Sequence, residues 1–225
     1  MGSLIVIDGL DGSGKATQTS LLYEELWGKG REVKKISFPN YDDPSSALIK
    51  MYLGGELAEN ADGVNAFAAS SFYAVDRYAS FKRFWENDYH REGSIILADR
   101  YVSSNAIHQM VKLPRDQWDS FLTWLDDYEF EKLGLPRPDL VLYLDMDPDT
   151  SKRLLARRYD GDENKKDIHE KDFSYLLRCR ESAMYAAERQ GWKLISCCDG
   201  GEPLPVQVIH EKLMQTLRKE LKTLW

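Results

Sequence analysis

The chain has 225 residues, 43% of them hydrophobic and 30% charged, which is one large domain or two small ones of an ordinary globular composition. Lys and Arg total 30 against 37 Asp and Glu, and the formal charge of -7 argues against a binder of nucleic-acid polymers while permitting a local basic pocket for a small anion. No apolar run approaches the ~18 residues of a membrane span, and Met1-Gly2-Ser3 leads straight into strand-like sequence with no signal peptide.

In chain order, Leu4-Ile5-Val6-Ile7 is a continuous apolar run that predicts a strand buried on both faces, as in a parallel sheet. Gly9-Leu10-Asp11-Gly12-Ser13-Gly14-Lys15-Ala16-Thr17 follows, and then a helical stretch through Leu21, Leu22 and Leu26. Further strands are predicted at 33–38, 94–98, 140–144 and 193–197. Asp43-Pro44 and Asp147-Pro148 read as helix starts, an N-cap followed by proline at the first helical position. A helix with Phe67, Phe72, Tyr73 and Phe81 precedes the third strand, and Trp118, Phe121, Leu122 and Leu125 make a later apolar stripe. Residues 159–172 carry almost nothing to bury. With Arg153, Arg157 and Arg158 leading into them, they read as a mobile lid at about 153–172, or more plainly as a solvated loop. Phe173, Leu176, Leu177, Ala183, Met184 and Ala187 make another stripe, and Val206, Ile209, Leu213, Leu217, Leu221 and Leu224 line the last helix. Cys179, Cys197 and Cys198 have neither a disulfide framework nor a metal-site spacing, which points to a reducing, cytoplasmic compartment without zinc. Strands alternating with helices, and no linker or repeat, predict one α/β domain over 1–225: an open parallel sheet with helices on both faces.

The segment after the first strand is a phosphate loop. Its glycines allow backbone N–H groups to wrap an anion, the following helix adds its positive end, and the lysine spans two phosphates. Strand, loop and helix stand in the required order. The position after Lys15 is Ala16, where the motif has a magnesium-binding hydroxyl. Thr17 is rotated about 100° around the helix and cannot take over that position. Magnesium bound with the triphosphate would then rest on water, phosphate oxygens and the carboxylates Asp11 and Asp99.

Further motifs carry a resemblance. Asp99-Arg100-Tyr101-Val102-Ser103-Ser104-Asn105-Ala106 resembles the Asp-Arg-Tyr signature of thymidylate kinases. Phe38-Pro39, Asp76-Arg77 and Pro136-Arg137-Pro138-Asp139 are similar to family segments and come in the family's order over residues 3 to 200. The resemblance implies a three-layer α/β/α P-loop kinase fold with a five-stranded parallel sheet and a mobile lid. It also implies transfer of the γ-phosphoryl group of ATP to dTMP. On this resemblance Gly9, Asp11, Gly12, Ser13, Gly14, Lys15, Ala16, Thr17 and Arg153 bind ATP. Asp11, Phe38, Pro39, Tyr73, Arg77, Arg100, Ser104, Asn105 and His108 surround dTMP. Arg77 would read thymine O4, Tyr73 would stack on the base, and His108 falls where some members have a tyrosine that guards the sugar 2′ position. Lys15, Asp11 and Arg100 would act on the phosphates. Arg100 could instead be a surface arginine paired with Asp99. In the family a positive charge reaches the transferring phosphate from the loop or the lid. Gly12 holds the loop position, so the duty falls on the lid, with Arg153, Arg157 and Arg158 as candidates and Arg157 and Arg158 favoured. A homodimer is implied as well, in keeping with the aromatic residues Trp118, Phe121, Trp124 and Phe130 and the stretch 67–84.

Two other readings stand beside this one: a different nucleoside monophosphate or deoxynucleoside kinase, and a P-loop module that binds nucleotide without turning it over. The second strand runs out as Ser37-Phe38-Pro39-Asn40-Tyr41, without the acid a nucleoside kinase would use on a 5′-hydroxyl. That favours an acceptor that is already a phosphate. An arginine-lined acceptor site has no use in a pure binder.

Overall fold

Five apolar runs become one sheet in a computed structural model that describes residues 1–158 and 173–222. The strands are β1 (Ser3–Gly9), β2 (Val33–Ser37), β3 (Ile95–Asp99), β4 (Leu140–Asp145) and β5 (Lys193–Ser196), paired in the order β2-β3-β1-β4-β5 and parallel throughout. Period-two alternation buries each inner strand on both faces. Leu4 and Val6 of β1 enter one core cluster and Ile5 and Ile7 the other. In β3, Ile96 and Ala98 side with Leu4, while Ile95 and Leu97 side with Ile5.

The helices are α1 (Lys15–Gly28), α2 (Ala47–Leu53), α3 (Ala66–Ser80), α4 (Glu86–His90), α5 (Ser103–His108), α6 (Trp118–Asp126), α7 (Pro148–Arg158), α8 (Phe173–Gln190) and α9 (Val206–Glu220). α1 and α9 cover one face through Leu22, Leu26, Ile209, Leu213 and Leu217. The other face takes α3, α5, α6 and α8 through Ala69, Ile107, Phe121 and Ala183. A helix layer thus lies on each side of the sheet, as expected. The neighbours of β1 are β3 and β4, so the loops that leave the carboxyl ends of β1 and β3 lie side by side, where open α/β sheets gather ligands.

Several sequence expectations change. Leu177 (46% exposed) and Val206 (50% exposed) lie off their predicted stripes, because each sits on the solvent side of its helix. Leu224 and the lid segment 159–172 lie outside the described residues. Trp118 and Phe121 are buried in the core, not offered as surface. A two-stranded hairpin, β6 (Cys198–Asp199) and β7 (Glu202–Pro203), follows β5. Among the described residues, no helix is long and apolar enough to cross a membrane.

Candidate active site

The loop after β1 turns through Gly12 (φ 81) and Gly14 (φ 88), left-handed conformations that favour glycine. Gln18 N donates to Gly14 O at 3.0 Å and opens the α1 ladder, so the N–H groups of Lys15, Ala16 and Thr17 have no acceptor within the helix. The Ser13 hydroxyl is buried and makes no hydrogen bond among the described residues. These are unsatisfied donors grouped around one turn, the chemistry of an anion cradle. Lys15 is buried and donates from Nζ to the carbonyls of Gly9 (3.0 Å) and Leu10 (2.9 Å). Burial, with Arg100 nearby, pulls its ammonium below the ordinary lysine range, partly offset by Asp11, Asp99 and Asp8. Ala16 and Thr17 are both exposed.

Arg100 stands at the carboxyl end of β3 with φ 67, the one non-glycine residue with positive φ among those described. A long side chain in this conformation costs about 1–3 kcal/mol, and such strain collects where an exact placement is needed. The guanidinium ion-pairs with Asp11 of the phosphate loop, not with Asp99. Its Nη1 lies 3.2 Å from His108 Nε2. A guanidinium only donates, so Nε2 accepts and the neutral ring carries its proton on Nδ1. Burial works against the Arg100 charge, but Asp11, Asp8 and Asp99 outweigh it and hold the group above its ordinary value. Asp99 itself is pushed up by burial, with Lys15 and Arg100 pulling the other way. Lys15, Asp11, Asp99 and Arg100 therefore form one electrostatic cluster. Among the described residues, no three acidic, His or Cys side chains make a metal cluster of their own.

The expected base-binding residues come together on the α3–α5 side. Tyr73 is partly buried, its ring edge-on to Tyr52 with centroids 6.4 Å apart. Arg77, one turn on, is 1% exposed. Its Nε and Nη2 donate to Glu129 at 2.6 and 2.5 Å, and Nη1 donates to Tyr101 O at 3.3 Å. Asn105 Nδ2 donates to Ser70 O (3.2 Å) and to Glu129 Oε1 (3.0 Å). The Ser104 hydroxyl turns to Asp8, donating at 2.8 Å to Oδ2. Phe38 sends its ring into the core against Tyr101, and its peptide bond to Pro39 is cis, so these two residues shape the turn after β2. Asp76 ties that turn to α3, accepting from Asn40 N (2.9 Å) and Ser45 Oγ (2.5 Å), while Asp43 caps Ser45 as its Pro-containing motif predicts.

α7 packs directly on the phosphate loop. A Cβ at Gly12 would stand 2.8 Å from Ser151 O and 3.0 Å from Leu155 Cγ, which leaves no room there for an arginine. Arg153 reaches the hairpin, donating to Gly201 O at 2.7 Å and pairing with Glu202 at 3.2 Å. Arg157 is exposed, and the side chain of Arg158 lies outside the described residues.

Sequence reasoning missed three residues. Asp8 is fully buried and accepts from Ser103 and Ser104, which tethers α5 to the end of β1. Its place beside the loop motif was a usable signal. Glu129 sits within the acidic run Asp126-Asp127-Tyr128-Glu129, which looks like a solvated face yet buries it completely. Lys112 donates to the Tyr52 hydroxyl at 2.7 Å and to Val64 O at 3.1 Å, steadying the ring behind Tyr73. Burial lowers its amine to about 8, a shift no sequence pattern announced.

The chain is similar to known proteins of one family. The family model described as thymidylate kinase matches residues 7–202. The thymidylate kinase of Mycobacterium tuberculosis is 31% identical over 192 residues, covering 84% of this chain and 87% of that protein. A probable thymidylate kinase of Pyrobaculum aerophilum is 27% identical over 206 residues, 92% of this chain and 94% of its own. A solved thymidylate kinase structure from Candida albicans superposes with a TM-score of 0.69 at 22% identity, covering 97% of this chain and 92% of that one.

Proposed function

The chain belongs to the thymidylate kinase family, and we infer that it transfers the γ-phosphoryl group of ATP to dTMP, giving dTDP and ADP. The observation that carries this reading is Arg100. A cation in a left-handed backbone, paired with Asp11 of the phosphate loop, stands beside the donor cradle, where it would meet an acceptor phosphate. Phosphoryl transfer asks little covalent work of a protein beyond positioning and charge stabilisation, and an acceptor that is already a phosphate needs no general base. Lys15 follows the β- and γ-phosphates, Arg100 receives the acceptor phosphate, and Asp11 holds Arg100 in line. Tyr73, Arg77, Ser104, Asn105 and His108 border the nucleoside.

Magnesium fits the donor set. Asp11 and Asp99 offer hard carboxylate oxygens where Ala16 offers none, and Mg2+ is commonly held by one or two carboxylates with phosphate oxygens and water. Bound there, it would neutralise charge on the triphosphate. The lid arginines Arg157 and Arg158 complete the set, with Arg153 on the ATP side. We assign a homodimer, to which the exposed Phe67, Val75 and Tyr78 of α3 are suited, and a cytoplasmic location, which the three free cysteines suit.

ADP release measured with dTMP, dUMP, dCMP, AMP and thymidine tests the reaction. The dTMP rate is expected to exceed the others, and faster turnover of AMP or thymidine would overturn the assignment. For the lid, Arg157→Ala or Arg158→Ala should lower kcat by about 10²-fold or more with little change in dTMP KM. Unchanged kcat in both, and in Arg153→Ala, removes the lid from catalysis.

A further inference from the structure

Glu129 has no part in the phosphate chemistry, yet it is 0% exposed and ionically paired. A buried carboxylate is costly unless several donors meet it, and here three do. Arg77 gives its Nε and Nη2 edge, and Asn105 gives Nδ2. The second acceptor of Asn105 Nδ2 is the Ser70 carbonyl. Both partners of that nitrogen can only accept, so the orientation of the Asn105 amide follows from chemistry: Nδ2 faces Glu129 and Ser70, and Oδ1 takes the other side.

We propose that Glu129 is a specificity-determining positioning residue, a buried carboxylate that sets the donor and acceptor polarity of Arg77 and Asn105 for a pyrimidine carrying an imide, N3–H beside C4=O. The proposal rests on the reading of these residues as the base site. With one guanidinium edge committed to Glu129 and one Nη1 hydrogen to Tyr101 O, the second N–H of Nη1 and of Nη2 are the donors left for a carbonyl oxygen. With Nδ2 committed, Asn105 meets the base through Oδ1, an acceptor for N3–H. Thymine and uracil present that acceptor and donor. Cytosine presents the reverse at both positions, an amino group at C4 and an unprotonated N3. A neutral or shorter side chain at 129 frees the amide to flip and loosens the guanidinium, so discrimination by base polarity falls.

The test compares wild type and Glu129→Gln with ATP and dTMP, dUMP or dCMP. The expected result is a dTMP KM raised about tenfold, a kcat/KM preference for dTMP over dCMP reduced about tenfold or more, and an unchanged ATP KM. The ratio of dTMP to dUMP should stay as in wild type, since both bases carry the imide. A purely structural effect would lower all three substrates in proportion. If Glu129→Gln lacks a cooperative melting transition, Glu129→Asp carries the same comparison, because a carboxylate one methylene shorter cannot reach Arg77 and Asn105 together. A folded variant with wild-type dTMP KM and wild-type base ratios overturns the role of Glu129. A wild-type chain that does not phosphorylate dTMP overturns the functional reading instead, so the two failures are told apart.

Discussion

Arg100 shows what one side chain is asked to do: its guanidinium pairs with Asp11 and meets His108 at 3.2 Å, from a left-handed backbone. Lysine keeps the charge but cannot reach two partners with a planar fork. Arg100→Lys is therefore expected to lower kcat/KM for dTMP by about 10²-fold, read in steady-state assays, while the melting temperature changes little. Lys112 makes a pH prediction. Below about pH 8 its amine is protonated in folded and unfolded chains alike. Between about 8 and the ordinary 10.5 the unfolded chain keeps a proton that the folded chain has released, so stability rises with pH across that window. Urea denaturation should show a gain of about 2 kcal/mol from pH 8 to pH 10 that is missing in Lys112→Met. Lys15, Asp11 and Arg100 were legible because each sits at a fixed offset from a strand end. Glu129 and Lys112 were not, since a polar residue in a polar run is buried only by what packs over it from elsewhere in the chain.

Among elements, α7 packs on the phosphate loop through Ser151 and Leu155, so a shift of either displaces the other. Gly12 is the point of contact, with φ 81 and no space for a Cβ beside Ser151 O. Gly12→Ala should cost about 1–3 kcal/mol, seen as a lower melting temperature, and should raise ATP KM by displacing α7. The strands were readable almost to the residue, because apolar runs bounded by Gly, Asp or Pro have few other uses in a chain of this composition. The β6–β7 hairpin was not, because two-residue strands leave no period to detect. The stripe positions Leu177 and Val206 were misjudged for a related reason: an apolar residue at a helix margin sits at the right spacing without lying on the buried arc.

At the scale of the molecule, an acidic chain sets Lys15 and Arg100 close together at the carboxyl ends of β1 and β3, so its net charge says little about the local field there. The exposed apolar face of α3 is the other large-scale feature. Val75→Glu together with Tyr78→Glu is expected to convert a dimeric wild type to monomer by sedimentation equilibrium, and a wild type that sediments as monomer would refute the assembly. The strand order has a further consequence for how the protein is made. β1 leaves the ribosome first but is flanked by β3 and β4, the last of which ends at Asp145. At translation rates of ~5–20 residues per second, the apolar central strand waits on the order of ten seconds for its second neighbour. The nascent chain must keep Leu4–Ile7 from other partners for that time, so the segment at the heart of the finished sheet is the one that most needs shelter during synthesis.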